Sequence, residues 1–160
     1  MYRVSLVMIA RNEAHCIERC LASMQDHVDE IIIIDTGSTD DTVEICKRFT
    51  PQVGHYAWTD DFSAARNVSL AHASGDWNVI MDADEWMIDG FDYLRSLKVT
   101  KPDFVATIRQ DSTFGDDADS RTSSVNISRI LPRGVAYGGR IHEQPIHTMT
   151  VRTSPIIFAH

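Results

Sequence analysis

Trp77-Asn78-Val79-Ile80-Met81-Asp82-Ala83-Asp84-Glu85 is the stretch that decides the fold: a short apolar run that delivers two carboxylates at its carboxyl end. Residues two apart in an extended chain point to the same side, so Asp82 and Asp84 face one way, and Ala83 between them leaves room for close approach. Two such carboxylates repel each other unless a cation compensates them. Oxygen ligands select hard ions such as Mg²⁺ or Mn²⁺, which also coordinate a diphosphate. The triplet alone is common in surface loops; its place after a buried strand gives it weight.

Working outward, the preceding residues alternate strands and helices with short connections. Val4–Ile9 reads as a first strand, followed by a helix capped at Asn12 and running to about Gln25, with Ile17, Leu21 and Met24 on one face. Ile31–Ile34 is apolar on both faces, as in a central strand of a covered parallel sheet. Ser38 with Asp41 resembles a capping box for a helix to about Phe49. Val53–Trp58 predicts a third strand, and Asp61 opens a helix over Phe62–Ala73. This order implies an α/β fold with a mostly parallel sheet flanked by helices. After Gly90 comes a short helix over Phe91–Leu97. Phe104–Arg109 and Ser124–Leu131 then form an antiparallel pair joined by the polar stretch Gln110–Thr122. The expectation is one domain over 1–160, with a nucleotide-binding half at 1–90 and a smaller, β-rich acceptor-side half at 91–160.

Ligands of open parallel sheets bind beyond the carboxyl ends of the strands, where strand order reverses. Three polar clusters fall at such ends: Ala10-Arg11-Asn12-Glu13, Asp35-Thr36-Gly37-Ser38 and Asp82-Ala83-Asp84. Asp35 closes an apolar strand, where a carboxylate needs a partner. It either caps the following helix, for which Ser38 is better placed, or accepts an N–H of a bound base, and the uracil N3–H fits.

The ordered motifs Val-Met-Ile-Ala-Arg-Asn-Glu (7–13), Ile-Ile-Ile-Ile-Asp-Thr-Gly-Ser-Thr-Asp-Asp-Thr (31–42), Asp-Phe-Ser-Ala-Ala-Arg-Asn (61–67) and Val-Ile-Met-Asp-Ala-Asp-Glu (79–85) resemble family 2 glycosyltransferases of the GT-A fold. With Gly-Gly-Arg-Ile-His-Glu-Gln-Pro (138–145), the chain is similar to a bacterial subgroup. That subgroup includes bacteriocin S-glycosyltransferases and lipopolysaccharide-core glycosyltransferases. The resemblance implies inverting transfer from a nucleotide-sugar donor, UDP-sugars favoured, to a glycan, lipid-linked sugar or peptide acceptor. It implies nucleotide-sugar contacts from Ala10, Asn12, Glu13, Asp35, Arg66, Asp82 and Ala83, and an Mn²⁺ or Mg²⁺ ion on Asp84 and Asp82. His160 matches a histidine that follows the last core strand and completes the metal or diphosphate site. For Arg66 the other reading is an ion pair with Asp60 or Asp61; for Glu13, service to the first turn of its helix. Relatives usually continue with helices, sometimes helical repeats, that select the acceptor. The chain is therefore a minimal enzyme, a piece of a longer protein or a domain completed by another chain.

An inverting transfer needs a base for the acceptor proton. His142-Glu143 supplies the candidate, Glu143 as base and His142 orienting it, binding diphosphate or helping the metal. A structural hydrogen-bonded pair before Pro145 is the alternative. Trp86, beside the carboxylates, has the position to stack on a sugar.

The 160 residues carry a formal net charge of −8 and 43% apolar side chains, which suits one domain with a real core and argues against a nucleic-acid track. The first half lacks the glycine-rich turn of dinucleotide-binding folds and the Gly-Lys-Ser/Thr signature of P-loop enzymes. Cys16, Cys20 and Cys46 are too few for a disulfide framework. Cys16 and Cys20, near His15, read as small buried hydrophobes rather than zinc ligands. With no bilayer-length apolar run, the chain reads as cytoplasmic.

Overall fold

The computed structural model describes residues 1–114 and 121–160. The core is an eight-stranded sheet in the order β3-β2-β1-β4-β7-β6-β10-β5. Its first half is parallel: β1 (Val4–Ala10) lies between β2 (Glu30–Asp35) and β4 (Trp77–Ile80), with β3 (Val53–His55) at the edge. Every residue of β4 is buried, as are Ile31–Asp35 of β2, because helices cover both faces. The chain order reverses between β1 and β4, and that is where Ala10–Glu13 and Asp82–Asp84 emerge.

The second half is mixed. β7 (Arg121–Pro132) runs antiparallel to β4 and to β6 (Val105–Phe114), β10 (Val151–Ala159) is parallel to β6, and β5 (Trp86–Asp89) closes the edge. A separate two-stranded ribbon pairs β8 (Ala136–Gly138) with β9 (Gln144–Ile146). The expected mostly parallel sheet and the smaller antiparallel part are both present.

Helix α1 (Ile17–Met24) buries Ile17, Cys20, Leu21 and Met24 at i, i+3, i+4 and i+7, each worth about 1.5–3 kcal/mol for a large apolar side chain. α2 (Thr42–Lys47) and α3 (Phe62–His72) cover the parallel half, and α4 (Phe91–Ser96) packs near β10. Asp61 caps α3 as expected, its carboxylate accepting from Ala64 N–H at 3.0 Å.

Several local expectations give way to tertiary ties. Asn12 does not cap α1, which begins only at Ile17. It lies in the left-handed region at φ 55° and its Oδ1 accepts from Thr39 N–H at 2.7 Å, stitching the two strand-end loops together. Ser38 and Asp41 form no capping box. Ser38 Oγ accepts from Asn12 N–H, and Asp40 takes the Thr42 N–H and hydroxyl. The third strand stops at His55. Gln110–Phe114 and Arg121–Thr122, expected in a loop, continue β6 and β7 with paired register from Gln110↔Val125 to Phe114↔Arg121; the rest of that stretch, 115–120, lies outside the described residues. Polar composition hides a strand whose partner supplies the ladder. Among the described residues, no helix is long and apolar enough to cross a membrane.

Candidate functional site

At the carboxyl ends of β1 and β4 lies a cleft of about 650 Å³. It is lined by Ala10, Arg11 and Glu13 after β1, Thr36 after β2, Asp82–Asp84 after β4, and Arg66 from α3. Trp58, Phe62, Gln110, Ile141, His142, Glu143 and His160 complete the wall. Residues far apart in the chain thus share one space. Asn12 and Asp35 do not line it.

The inner wall is a network of ionic groups. Arg66 donates from Nη2 to Asp82 Oδ1 and from Nε to Glu143 Oε1, both at 2.6 Å. Arg129 donates from Nη2 to the other Asp82 oxygen at 2.5 Å and lies 3.6 Å from Glu85. Arg66 therefore pairs with neither Asp60 nor Asp61. Burial alone would raise the Asp82 pKa, but the two guanidinium groups outweigh it and hold the carboxyl well below the usual range. Glu85, fully buried, accepts from Asp82 N–H at 2.8 Å and from Gln110 Nε2 at 2.6 Å. Burial, with Asp82 nearby, pushes its pKa up. Arg66 Nη1 and Arg129 Nε have no partner among the described residues.

The outer rim is different. Asp84 and His160 retain 45% and 40% of their side-chain exposure, and His160 Nε2 lies 3.0 Å from Asp84 Oδ2. His160 Nδ1 is 3.2 Å from Ser112 Oγ, and its backbone N–H donates to the Asp111 carbonyl. This arrangement leaves Nε2 facing Asp84, the way an outer partner commonly orients a ligating histidine. Asp84 and His160 fit a divalent cation. Asp82 differs, because a guanidinium group already donates to each of its oxygens. His142, at φ 57°, sits in a backbone region that non-glycine residues rarely adopt. That turn presents Glu143 to Arg66.

Asp35 is 6% exposed and turned onto its own loop, accepting from Gly37 N–H at 3.0 Å and from Ser38 N–H at 3.1–3.2 Å. Burial opposes ionisation, but these bonds and His55, 3.5 Å away, bring its pKa below the ordinary value. Thr36 takes the place at the cleft wall. Trp86 is occupied as well: the Arg19 guanidinium carbon lies 3.2 Å from its ring centroid, and Trp86 does not line the cleft. Cys20 is buried, as expected, with Sγ 3.4 Å from the Asp82 carbonyl oxygen and 3.6 Å from Met81 Sδ. Cys16 is only half-buried.

Sequence reasoning missed Arg129, Glu85 and Gln110. Glu85 directly follows the aspartate triplet, and a third carboxylate at a buried strand end is a signal for cationic partners. Arg129, inside a polar and apolar mixture on β7, carries no local sign of its role.

An α/β sheet with a ligand-sized cleft at its switch point and a carboxylate–imidazole pair on the rim defines a GT-A type domain. The chain matches the family "Glycosyl transferase family 2" over residues 5–151 and belongs to that family. A TPR repeat-containing protein of Synechococcus elongatus is 44% identical over 126 residues, covering 77% of this chain and 31% of the relative. The SPbeta prophage-derived glycosyltransferase SunS of Bacillus subtilis is 42% identical over 79 residues, covering 48% and 19%. The chain thus spans about a third or less of these curated relatives. Among solved structures, S. aureus TarS superposes with a TM-score of 0.59 at 21% identity, covering 71% of this chain and 37% of that one, which is a likeness of fold. Glucosyl-3-phosphoglycerate synthase from Mycobacterium tuberculosis, in complex with Mn²⁺, UDP-glucose and phosphoglyceric acid, superposes with a TM-score of 0.55 at 25% identity, covering 73% and 46%.

Proposed function

We propose that this chain is the donor-binding part of an inverting glycosyltransferase that uses a nucleotide-diphosphate sugar, UDP-sugars favoured, and Mn²⁺ or Mg²⁺. The observation that carries the reading is the meeting, in one cleft, of a cation-fit pair (Asp84 and His160), a guanidinium (Arg66) and a carboxylate (Glu143). The UDP-glucose and Mn²⁺ bound by the mycobacterial synthase support the donor and ion classes. Acceptors of the glycan, lipid-linked sugar or peptide class follow from the family.

Asp84 and His160 would hold the cation, which would neutralise the charge that builds on the departing diphosphate. Arg66 adds a fixed positive charge in the same cleft. Asp82, kept ionised by two arginines, accepts from ribose hydroxyls, and Ala83 lets the nucleotide approach the backbone. Ala10, Glu13 and Thr36 line the base side, and Asn12 ties that wall to the next loop. Asp35 does not line the cleft but braces the loop after Thr36, which does. Its Oδ1 holds only a 3.2 Å contact from Ser38, which leaves capacity for a base N–H.

Glu143, oriented by Arg66 Nε and by the strained turn at His142, takes the proton of the acceptor's nucleophile. The new bond forms at the anomeric carbon as the bond to the diphosphate oxygen breaks on the opposite face. The electron pair leaves with the diphosphate, and the configuration inverts.

Calorimetric titration of UDP into the purified chain, with Mn²⁺ and again with EDTA, tests the reading. Binding only with the metal is the expected result. No binding in either buffer by a folded sample rejects UDP as the donor nucleotide, and GDP and dTDP then test the wider class. Multiple-turnover release of UDP from UDP-sugars separates an enzyme from a non-catalytic binding module.

A further inference from the structure

The turn that leads into α1 gathers three different metal-binding groups outside the Asp84–His160 pair. The carbonyl of Glu13 accepts from the N–H groups of Cys16 and Ile17 at 3.0 and 2.9 Å. This closes the turn and brings the Glu13 carboxylate, the His15 imidazole and the Cys16 thiol together. Cys16 Sγ is 3.2 Å from Glu13 Oε2, His15 Nε2 is 4.0 Å from the same oxygen, and all three donor atoms lie within 4.8 Å of one another. Ligands of one four-coordinate zinc ion, at bonds of about 2.0–2.3 Å, stand roughly 3.3–3.8 Å apart. The observed spacing is therefore close to what a single ion requires. Side-chain rotation of His15, 76% exposed, closes the remainder.

We propose that Glu13, His15 and Cys16 form a site for a thiolate-preferring divalent cation, Zn²⁺ in the first instance, separate from the position fitted by Asp84 and His160. The donor chemistry separates the two. A mixed oxygen, nitrogen and sulfur set selects zinc over the hard ions that carboxylates and diphosphates prefer. Cys20 is not part of the site, because it is buried against Met81 and the Asp82 carbonyl. His15 opens the site to solvent, and the fourth position is left for water. On binding, the Cys16 thiol proton passes to solvent, and its hydrogen bond to Glu13 is replaced by bonds from both groups to the ion. Glu13 also lines the cleft, and Cys16 Sγ lies 3.5 Å from the Ala83 carbonyl oxygen, so the ion would sit against the donor-site wall.

The test uses the full chain, stripped of metal and free of nucleotide, titrated with Co²⁺ as a spectroscopic stand-in for zinc. One equivalent should produce a thiolate-to-cobalt charge-transfer band with tetrahedral visible absorption, and Zn²⁺ should displace it. Cys16→Ser should lose the band. His15→Ala, at a side chain exposed enough to spare the fold, should weaken zinc binding roughly tenfold or more, since loss of even an outer hydrogen-bond partner costs about 10–100-fold. Asp84→Ala should keep the band. Absence of the band in the parent chain, its survival in Cys16→Ser or its loss in Asp84→Ala overturns the proposal. Neither nucleotide nor turnover enters the measurement, so it reads independently of the transferase assignment.

Discussion

Both ends of the parallel half-sheet carry partly or fully buried carboxylates, and they are satisfied in opposite ways. At the amino end, Glu30 accepts from Ser5 and Ser74 hydroxyls and from the N–H groups of Ser74 and Gly75, at 2.5–2.9 Å. Every one of these partners is neutral. At the carboxyl end, Asp82, Glu85 and Glu143 are held by Arg66, Arg129 and Gln110, and two guanidinium nitrogens remain unpartnered among the described residues. A carboxylate tied to backbone N–H groups and hydroxyls closes a fold. Carboxylates tied to arginines beside a 650 Å³ cleft place a charged network against the space a ligand can enter.

Variants at the two ends break or sharpen this contrast. Glu143→Gln keeps an acceptor for Arg66 Nε but removes the base, so transfer should fall about 10²–10⁴-fold while UDP affinity holds within a few-fold. Steady-state kinetics beside calorimetry reads both, and near-normal turnover would reject the base. Arg129→Met strips one of two cations from Asp82, and unfolding in urea should show a loss of about 3–5 kcal/mol. A loss under 1 kcal/mol would mean that Arg66 alone suffices.

Asp84→Ala sits on the exposed rim. It should weaken Mn²⁺-dependent UDP binding by about 100-fold, the upper end of what loss of an outer partner costs, with stability changed by no more than about 0.5 kcal/mol. Unchanged affinity would remove the metal assignment. Glu30→Gln belongs to the opposite end and should cost about 1–3 kcal/mol of stability with UDP affinity unaltered. A matching loss of affinity would erase the contrast between the two ends.

The smallest effect is in pH. Asp82, Asp35 and Glu30 have folded pKa values below their ordinary ones. For each, burial works against ionisation and is outweighed: by the two arginines at Asp82, and by hydrogen bonds at the other two. Their contribution is present above the ordinary carboxylate range, near pH 4, and is lost as pH falls through the depressed values. Glu85 is raised and works in the opposite sense, favouring the fold at low pH. Thermal melts should therefore hold steady above about pH 5 and drop on further acidification. Arg129→Met should flatten that drop.

Much of this was legible in sequence because it is local. The apolar runs of β1, β2 and β4, the i, i+3, i+4, i+7 pattern of α1 and the Asp61 cap each arise from residues a few positions apart. The three strand-end clusters were legible too, since a short buried strand delivers its last residues to a known edge. Asn12 and Ser38 misled for one common reason. Each has a side chain able to cap a helix or turn, and which N–H it meets depends on how two loops from different strands abut. The strand character of Gln110–Phe114 was hidden because a ladder to β7 and β10 replaces hydrophobic patterning there.

The sequence by itself determined the α/β class, the family and the neighbourhood of the cleft, because these rest on periodicity and on ordered motifs. Only the tertiary structure decided which charged partners each aspartate meets. Asp82 and Asp84 are two residues apart and chemically identical, yet one is locked between Arg66 and Arg129 and the other stands beside His160. Those partners come from 16, 47 and 76 residues away in the chain. A carboxylate's role follows from the charges that the fold places beside it, and no spacing within the triplet encodes them.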